Sequence, residues 1–302
     1  MEDFSKYPRY LYKYSPFNKE IINSFINNEF WFSDPKDFND PYDCKIEVEF
    51  DFNIDDLRNH FIKTNNFYTE IIKSIKDPIK QINFIRNRYR NKLTNDQIFK
   101  KIDGIFNHNE LLYPHSLIEN RIRDFQNNQE KFRSEIKKES QKELRNYRLF
   151  CLSRNKNNST MWAHYSENHK GICIKFDTKS DLNFFLFPLK VRYVNKYPKY
   201  NYIRQWDSHD TARHVLRTKH KNWSYEKEIR IIKYQDKTPF RNNGLLKINK
   251  SAIKDMYFGL KANQSDIELF KEINKKYYDN RIKVFKAKEI PYSFDIDFER
   301  IR

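Results

Sequence analysis

The chain has 302 residues, 38% hydrophobic and 17% aromatic, enough to bury a sizeable core, and its 26 Phe and 20 Tyr argue against disorder despite a polar average. Four glycines exclude collagen-like and linker-dominated classes, and no GxGxxG or GxxxxGK[ST] loop occurs to cradle a phosphate. The formal net charge of +17 points to an anionic partner, although a chain rich in Asn, Lys and Ile acquires basicity from an AT-rich genome without selection for binding.

In chain order, Tyr10 to Tyr14 reads as an aromatic strand. Phe17 to Asn27 places Phe17, Ile21, Ile22, Phe25 and Ile26 on one helical face. Phe30-Trp31-Phe32 is a second short strand. Asp34 to Pro41 holds two prolines and several Asx residues, which favour turns. Cys44 to Phe52 is expected to be a strand, with Ile46, Val48 and Phe50 alternating.

From Ile54 to about Asn146 the apolar spacing becomes helical, through Ile71, Ile72, Ile75, Ile79, Ile82 and Ile85. Pro78 is expected to kink or divide a helix, and Thr94 to cap the next. Strands return at Leu149–Leu152, Gly171–Phe176, Leu189–Val194, Ile229–Ile232 and Asp255–Gly259, with helices over Met161–Asn168, 207–220 and Ser265–Tyr277. Short strands segregated from a helical block predict an α+β fold: a mixed, mostly antiparallel sheet core with a helical insertion. The expected division is 1–53 and 148–302 for the two parts of the core and 54–147 for the insertion.

Cys44, Cys151 and Cys173 lie far apart without CxxC spacing, so no thiolate metal site or disulfide framework is expected and a reducing cytoplasm is the natural compartment. The first residues lack a signal-peptide apolar region. The longest apolar run, Phe184 to Leu189, contains Pro188 and is too short to span a bilayer, so a soluble protein with no membrane partner is expected.

The reactive residue types concentrate in two segments, Ser159-Thr160-Met161-Trp162-Ala163-His164-Tyr165 and Trp223 to Arg230. If the late strand extends back through Glu226 and Glu228, both carboxylates project from one face and repel unless a cation, a substrate or a shared proton lies between them. The plainer reading is a surface pair neutralised by Lys227, Arg230 or Lys233. His164 offers an acid, a base or a donor, and Tyr165 and Trp162 offer flat rings, against the alternative of an aromatic core with satisfied polar tips. Asn39-Asp40-Pro41-Tyr42-Asp43 suits a turn or cap better than a divalent ion, because no further ligands follow at a recognisable spacing. Between Leu186 and Lys233 there are twelve Lys or Arg against four Asp or Glu, about twice the net positive charge per residue of the helical block. Arg213 and Arg217 in that stretch are candidates for contact with an acidic or nucleic-acid acceptor.

The segments Leu11–Tyr14, Phe32–Asp43, Cys151–Ser153, Met161–Tyr165 and Trp223–Arg230 together resemble a bacterial family known as domain of unknown function 2971. The motif order is also similar to that of ADP-ribosyltransferases: a first strand with a basic or polar residue, a second motif with Ser, Thr or Tyr, and a late ExE. That second resemblance implies an NAD-consuming transferase or NAD glycohydrolase, of the kind that serves as a bacterial toxin or phage-defence effector. It assigns Glu228 to stabilise sugar cation character, Glu226 to orient or deprotonate an acceptor, and Tyr165, His164 and Trp162 to the reacting end. Lys13, Tyr14, Ser159 and Arg230 would meet NAD, Lys13 standing where Arg or His is usual; Asn39, Asp40, Arg213 and Arg217 would meet the acceptor. The alternative is a nucleic-acid-binding protein or a metal-dependent nuclease acting through Asp40. A third reading is a binding module whose helical block senses a partner.

Overall fold

A computed structural model describes residues 7–45, 47–89, 92–203 and 208–301. The strands are β1 (Tyr10–Ser15), β2 (Glu29–Trp31), β3 (Glu47–Glu49), β4 (Tyr147–Ser153), β5 (Ile172–Asp177), β6 (Pro188–Lys190), β7 (Arg192–Val194), β8 (Lys199–Asn201), β9 (Thr218–His220), β10 (Glu228–Tyr234), β11 (Leu245–Lys247), β12 (Ile253–Phe258), β13 (Lys283–Glu289) and β14 (Ile296–Ile301). The helices are α1 (Lys19–Asn27), α2 (Ile54–Ser74), α3 (Pro78–Arg88), α4 (Asn95–Asn107), α5 (His115–Asn127), α6 (Gln129–Leu144), α7 (Ser159–Tyr165), α8 (Ser208–Leu216) and α9 (Gln264–Tyr278). The fold is α+β, and the chain forms two compact units.

The larger unit comprises Met1–Glu47, Ser140–Pro198 and Ser208–Arg302. Its centre is a sheet in the order β14-β13-β12-β5-β1-β4-β10-β6, antiparallel except between β12 and β13. Period-two alternation assigns the faces. Leu11, Phe150, Ile172, Ile174, Phe176, Ile229 and Ile231 pack with Ile21 and Phe25 of α1 and with Ile267, Phe270 and Ile273 of α9. Tyr14, Cys173 and Tyr257 pack with Met161 and Trp162 of α7.

One seam interrupts this sheet. β1 and β4 meet through a single pair, Tyr12 with Ser153. Further along, Leu149 of β4 exchanges backbone hydrogen bonds with Ser33 instead, at 2.8 and 2.9 Å. The chain from Ser33 to Asn39 thus occupies ground that a continuous pairing of β1 with β4 would have closed.

The smaller unit comprises Val48–Glu139 and Lys199–Asp207. Ile72, Ile85, Ile98, Ile105 and Leu112 form its buried centre. α2 and α4 begin with reciprocal capping boxes, Asn53 with Asp56 and Thr94 with Gln97. α2 ends at Ser74 and α3 starts at Pro78, where the missing N–H of proline costs nothing.

Three sequence expectations shift. The strand foreseen over Cys44–Phe52 contracts to β3, which pairs with β8; Ile46 lies outside the described residues. Leu189–Val194 divides into β6 and β7, because Val191 N–H still donates to Glu228 C=O while Arg192 N–H turns to Arg217 C=O. The helix foreseen to continue to His220 ends at Leu216, and β9 follows, paired in parallel with β7. Among the described residues no helix is long and apolar enough to cross a membrane.

Candidate active site

A cavity of about 290 Å³ opens at the seam between β1 and β4. Lys13 and Tyr14 of β1, Cys151 to Ser153 of β4, Phe38 and Asn39 of the intervening segment, Tyr165 of α7, Lys219 of β9, Glu226 and Glu228 all line it. Five segments distant in sequence therefore converge.

The two glutamates do not share one strand, contrary to the conditional reading of the sequence. β10 begins at Glu228, whereas Glu226 ends a 3-10 turn, Lys221–Glu226. Lys227 between them adopts the left-handed conformation, φ 47° and ψ 47°. Hydrogen bonds on both sides hold this reversal: Ser153 Oγ donates to Glu226 C=O (2.7 Å), Asn158 Nδ2 to Tyr225 C=O (3.2 Å), Glu228 N–H to Tyr193 Oη (2.9 Å) and Arg154 N–H to Lys227 C=O (3.2 Å). The carboxylates nonetheless reach a common cation. Lys219 Nζ lies 2.7 Å from Glu226 Oε2, 3.4 Å from Glu228 Oε2 and 3.5 Å from Asp43 Oδ2.

Arg230 closes the cluster from beneath and is 0% exposed. Its guanidinium donates to Glu228 at 2.8 and 3.1 Å, to Asp43 at 3.0 and 2.5 Å, and to Leu216 C=O at 2.9 Å. Burial alone would raise the Glu228 carboxyl, but the charges of Arg230 and Lys219 outweigh it and hold the group well below the usual carboxylate range. Burial likewise opposes the Lys219 charge, yet the surrounding carboxylates keep its ammonium pKa raised.

Glu226 responds in the opposite sense. Three carboxylates share two cations, and Glu226 is the one that Arg230 does not reach. Burial first, and then the neighbouring charge of Glu228, push it up to about 7 against the pull of Lys219 and Tyr165. Tyr165 Oη donates to Glu226 Oε1 at 2.5 Å, and burial followed by the Glu226 charge raises the phenol pKa, so the phenol remains a donor.

Lys13 forms the other side of the cavity. Its Nζ is 3.4 Å from Cys151 C=O and 4.5 Å from the Phe150 ring centre, and burial lowers its ammonium pKa. Among the described residues it has no carboxylate within ion-pair distance.

The remaining candidates scatter. Trp162 is fully buried, edge-on to Tyr14 at 5.3 Å, with Nε1 donating to Lys156 C=O at 2.8 Å, so it serves as a core residue. His164 is exposed, with Nδ1 2.9 Å from Tyr225 Oη, and Ser159 is exposed on the first turn of α7; neither lines the cavity. Asp40 accepts from Tyr42 N–H at 2.9 Å in its turn. Arg213 lines a different cavity, and Arg217 stands outside the first one. Arg230 is too enclosed to meet a pyrophosphate directly.

Sequence reasoning gave no site role to Asp43, Lys219 or Ser153. Asp43 falls in a turn, and Lys219 in the basic stretch between Leu186 and Lys233. No local pattern marks the lysine as buried: Glu226 and Glu228 follow it by 7 and 9 residues, but Asp43, which completes its surroundings, comes from a distant turn.

No curated protein and no solved structure matches the chain. Residues 161–231, from α7 through most of β10, match the family described as Protein of unknown function (DUF2971).

Proposed function

We propose that the cavity is the active site of an enzyme that cleaves an N-glycosidic bond, with NAD as substrate, acting as an ADP-ribosyltransferase or an NAD glycohydrolase. The observation that carries this reading is a pair of carboxylates in one cavity with opposite tuning: Glu228 held ionised by two cations, and Glu226 raised to about 7. Breaking the bond between ribose and nicotinamide develops positive charge on the sugar, which a permanently ionised carboxylate stabilises. Glu228 takes that role. A carboxylate titrating near neutrality accepts a proton from the incoming hydroxyl, amine or water, the role of Glu226.

The order of the strands also favours the reading. The first-motif Lys13, Ser153 and the late Glu228 lie on β1, β4 and β10, three neighbours in the sheet. Ser153 registers with both Tyr12 and Glu228, and so fits the second motif better than Ser159 does. The cavity volume suits the nicotinamide and its ribose, walled by Tyr14, Phe38 and Tyr165, rather than the whole dinucleotide. Stability alone does not call for five buried charges beside a cavity, since well-packed apolar residues serve as well or better.

Incubating the purified protein with NAD and resolving the products by chromatography tests the proposal. Nicotinamide release is expected to rise with pH through about 7 and to fall by 10²–10⁴-fold in Glu226→Gln if an acceptor must be deprotonated. Absence of nicotinamide release above the buffer rate, with water or added acceptors, would refute it.

A further inference from the structure

A second cavity, of about 510 Å³, adjoins the first. Lys219 lines both. Successive residues divide between them, Asn39 facing the first and Asp40 the second, and the 3-10 turn that delivers Glu226 to one delivers Trp223 to the other. The first cavity is small for a dinucleotide, so what the second can hold bears directly on how a substrate is accommodated.

Its lining combines two kinds of group. Tyr42, Tyr197 and Trp223 supply aromatic rings, and Lys45, Lys196 and His220 supply basic nitrogen. Tyr197 and Trp223 are held before any ligand arrives, and the Tyr42 ring stands exposed at the rim. Tyr197 Oη donates to Tyr42 C=O at 2.9 Å and to Lys45 C=O, and the Lys219 ammonium lies 4.9 Å from the Trp223 ring centre. Asp40 is the one carboxylate lining this cavity among the described residues, and its Oδ1 already accepts from Tyr42 N–H. Lys196 is exposed and has no carboxylate within ion-pair distance among the described residues. Lys219 is committed to its carboxylates and Lys45 lies 3.9 Å from Glu47 in an exposed pair, so a purely apolar ligand would leave chiefly the Lys196 ammonium unused, and a bare phosphate would leave the rings unused. A flat heteroaromatic ring carrying an anionic group engages both.

We infer that this second cavity binds a nucleoside monophosphate unit, its base against the rings of Tyr42 and Trp223 and its phosphate toward Lys196, Lys45 and His220. The unit has two sources, the adenylate half of the donor proposed above or a separate nucleotide acceptor. Binding stands without the reading of the first cavity; only the choice between sources rests on it.

AMP is the probe, titrated against the full chain by equilibrium dialysis. Saturable binding is expected, tighter than that of adenosine or inorganic phosphate alone. Tyr42→Ala and Lys196→Glu are each expected to weaken it by about tenfold, the scale of one lost stack or one lost charge contact, with circular dichroism and melting unchanged. If AMP raises KM for NAD without changing kcat, the site holds the donor's adenylate half. If AMP binds and leaves KM unchanged, the unit is a separate nucleotide. No saturable binding at millimolar AMP, or equal affinity in wild type and both variants, overturns the inference. Should AMP bind as described while NAD stays intact, the first cavity's reading falls and this one stands.

Discussion

Lys227 is the residue that lets two glutamates from different elements converge on one lysine. Its left-handed backbone is sterically costly for a residue with a Cβ, by roughly 1–2 kcal/mol. Lys227→Gly is therefore expected to leave thermal stability unchanged or slightly higher. Lys227→Val, whose branched side chain resists positive φ, is expected to lower stability by about 1–3 kcal/mol in urea unfolding. Equal midpoints for the two variants would contradict this assignment. Glu226 makes a second prediction. Its pKa is raised in the fold, so between about 4.5 and about 7 the unfolded chain has released a proton that the folded protein retains. Stability from this group accordingly falls as pH rises through that window. Glu226→Gln removes the ionisable group, and is expected to be stabilised relative to wild type by about 1–3 kcal/mol at pH 8 and by little at pH 5. Glu228 carries the opposite sign. Its depressed pKa contributes stability that is present above about 4.5 and lost on further acidification, and Glu228→Gln, which leaves buried cations short of a partner, is expected to cost about 3–5 kcal/mol at pH 7. Chemical denaturation across pH distinguishes the two glutamates.

At the scale of the element, α7 carries Tyr165 to the cavity, and the chain then turns sharply back into the sheet. Glu167, Asn168 and His169 all have positive φ, which is why the helix foreseen to run to Asn168 stops at Tyr165. Gly259 at the end of β12 makes this turn possible. A Cβ there would stand 2.1 Å from His169 C=O, against backbone that cannot swing aside. Lys261 N–H donates to that same carbonyl at 2.9 Å, and Gly259 N–H to Gly171 C=O at 2.9 Å. Gly259→Ala is expected to destabilise the protein by about 1–3 kcal/mol, by the strain of overpacking, and to shift the melting temperature accordingly. An unchanged melting temperature would mean that this junction yields more readily than its geometry implies. The helix could be foreseen from its apolar positions, but its end could not, because the stop is set by backbone just before β5 and just after β12 pressed against the turn.

Across the whole molecule, the alternation of apolar residues made the central strands and the α+β class legible. Strands with alternating charge were harder. β13, Lys-Val-Phe-Lys-Ala-Lys-Glu, and β14 flank the sheet on one side, and their charged faces conceal the strand signal. Three-residue strands such as β9 carry too little pattern to stand out from a basic run. The glutamate pair and Tyr165 were legible as residues of unusual chemistry, Lys13 only through the resemblance in motif order, and the structure brings all four to one cavity. The sign of each glutamate's tuning was not legible, because it depends on Arg230 and Asp43 meeting from positions 187 apart in the chain. Basic charge also misleads when counted along the sequence. Lys219 and Arg230, two of the cations in the dense stretch, are buried against carboxylates and contribute nothing to an outer electropositive surface. The family match over 161–231 contains Tyr165, Lys219, Glu226, Glu228 and Arg230, whereas Lys13 and Asp43 lie before it.

The parting of β1 from β4 has a consequence for how selectivity can be altered. The ionic floor of the pocket is anchored to β9, β10 and the turn at Asp43, while much of its roof is the short stretch from Ser33 to Asn39 wedged into the opening. Roof and floor are joined through the same stretch of chain, since the Phe38 ring centre lies 5.2 Å from the Arg230 guanidinium and Asp43 follows shortly after Asn39. Exchanging side chains on that wedge would resize the slot and choose among guests, whereas lengthening or trimming it would drag Asp43 and unsettle the proton-handling groups.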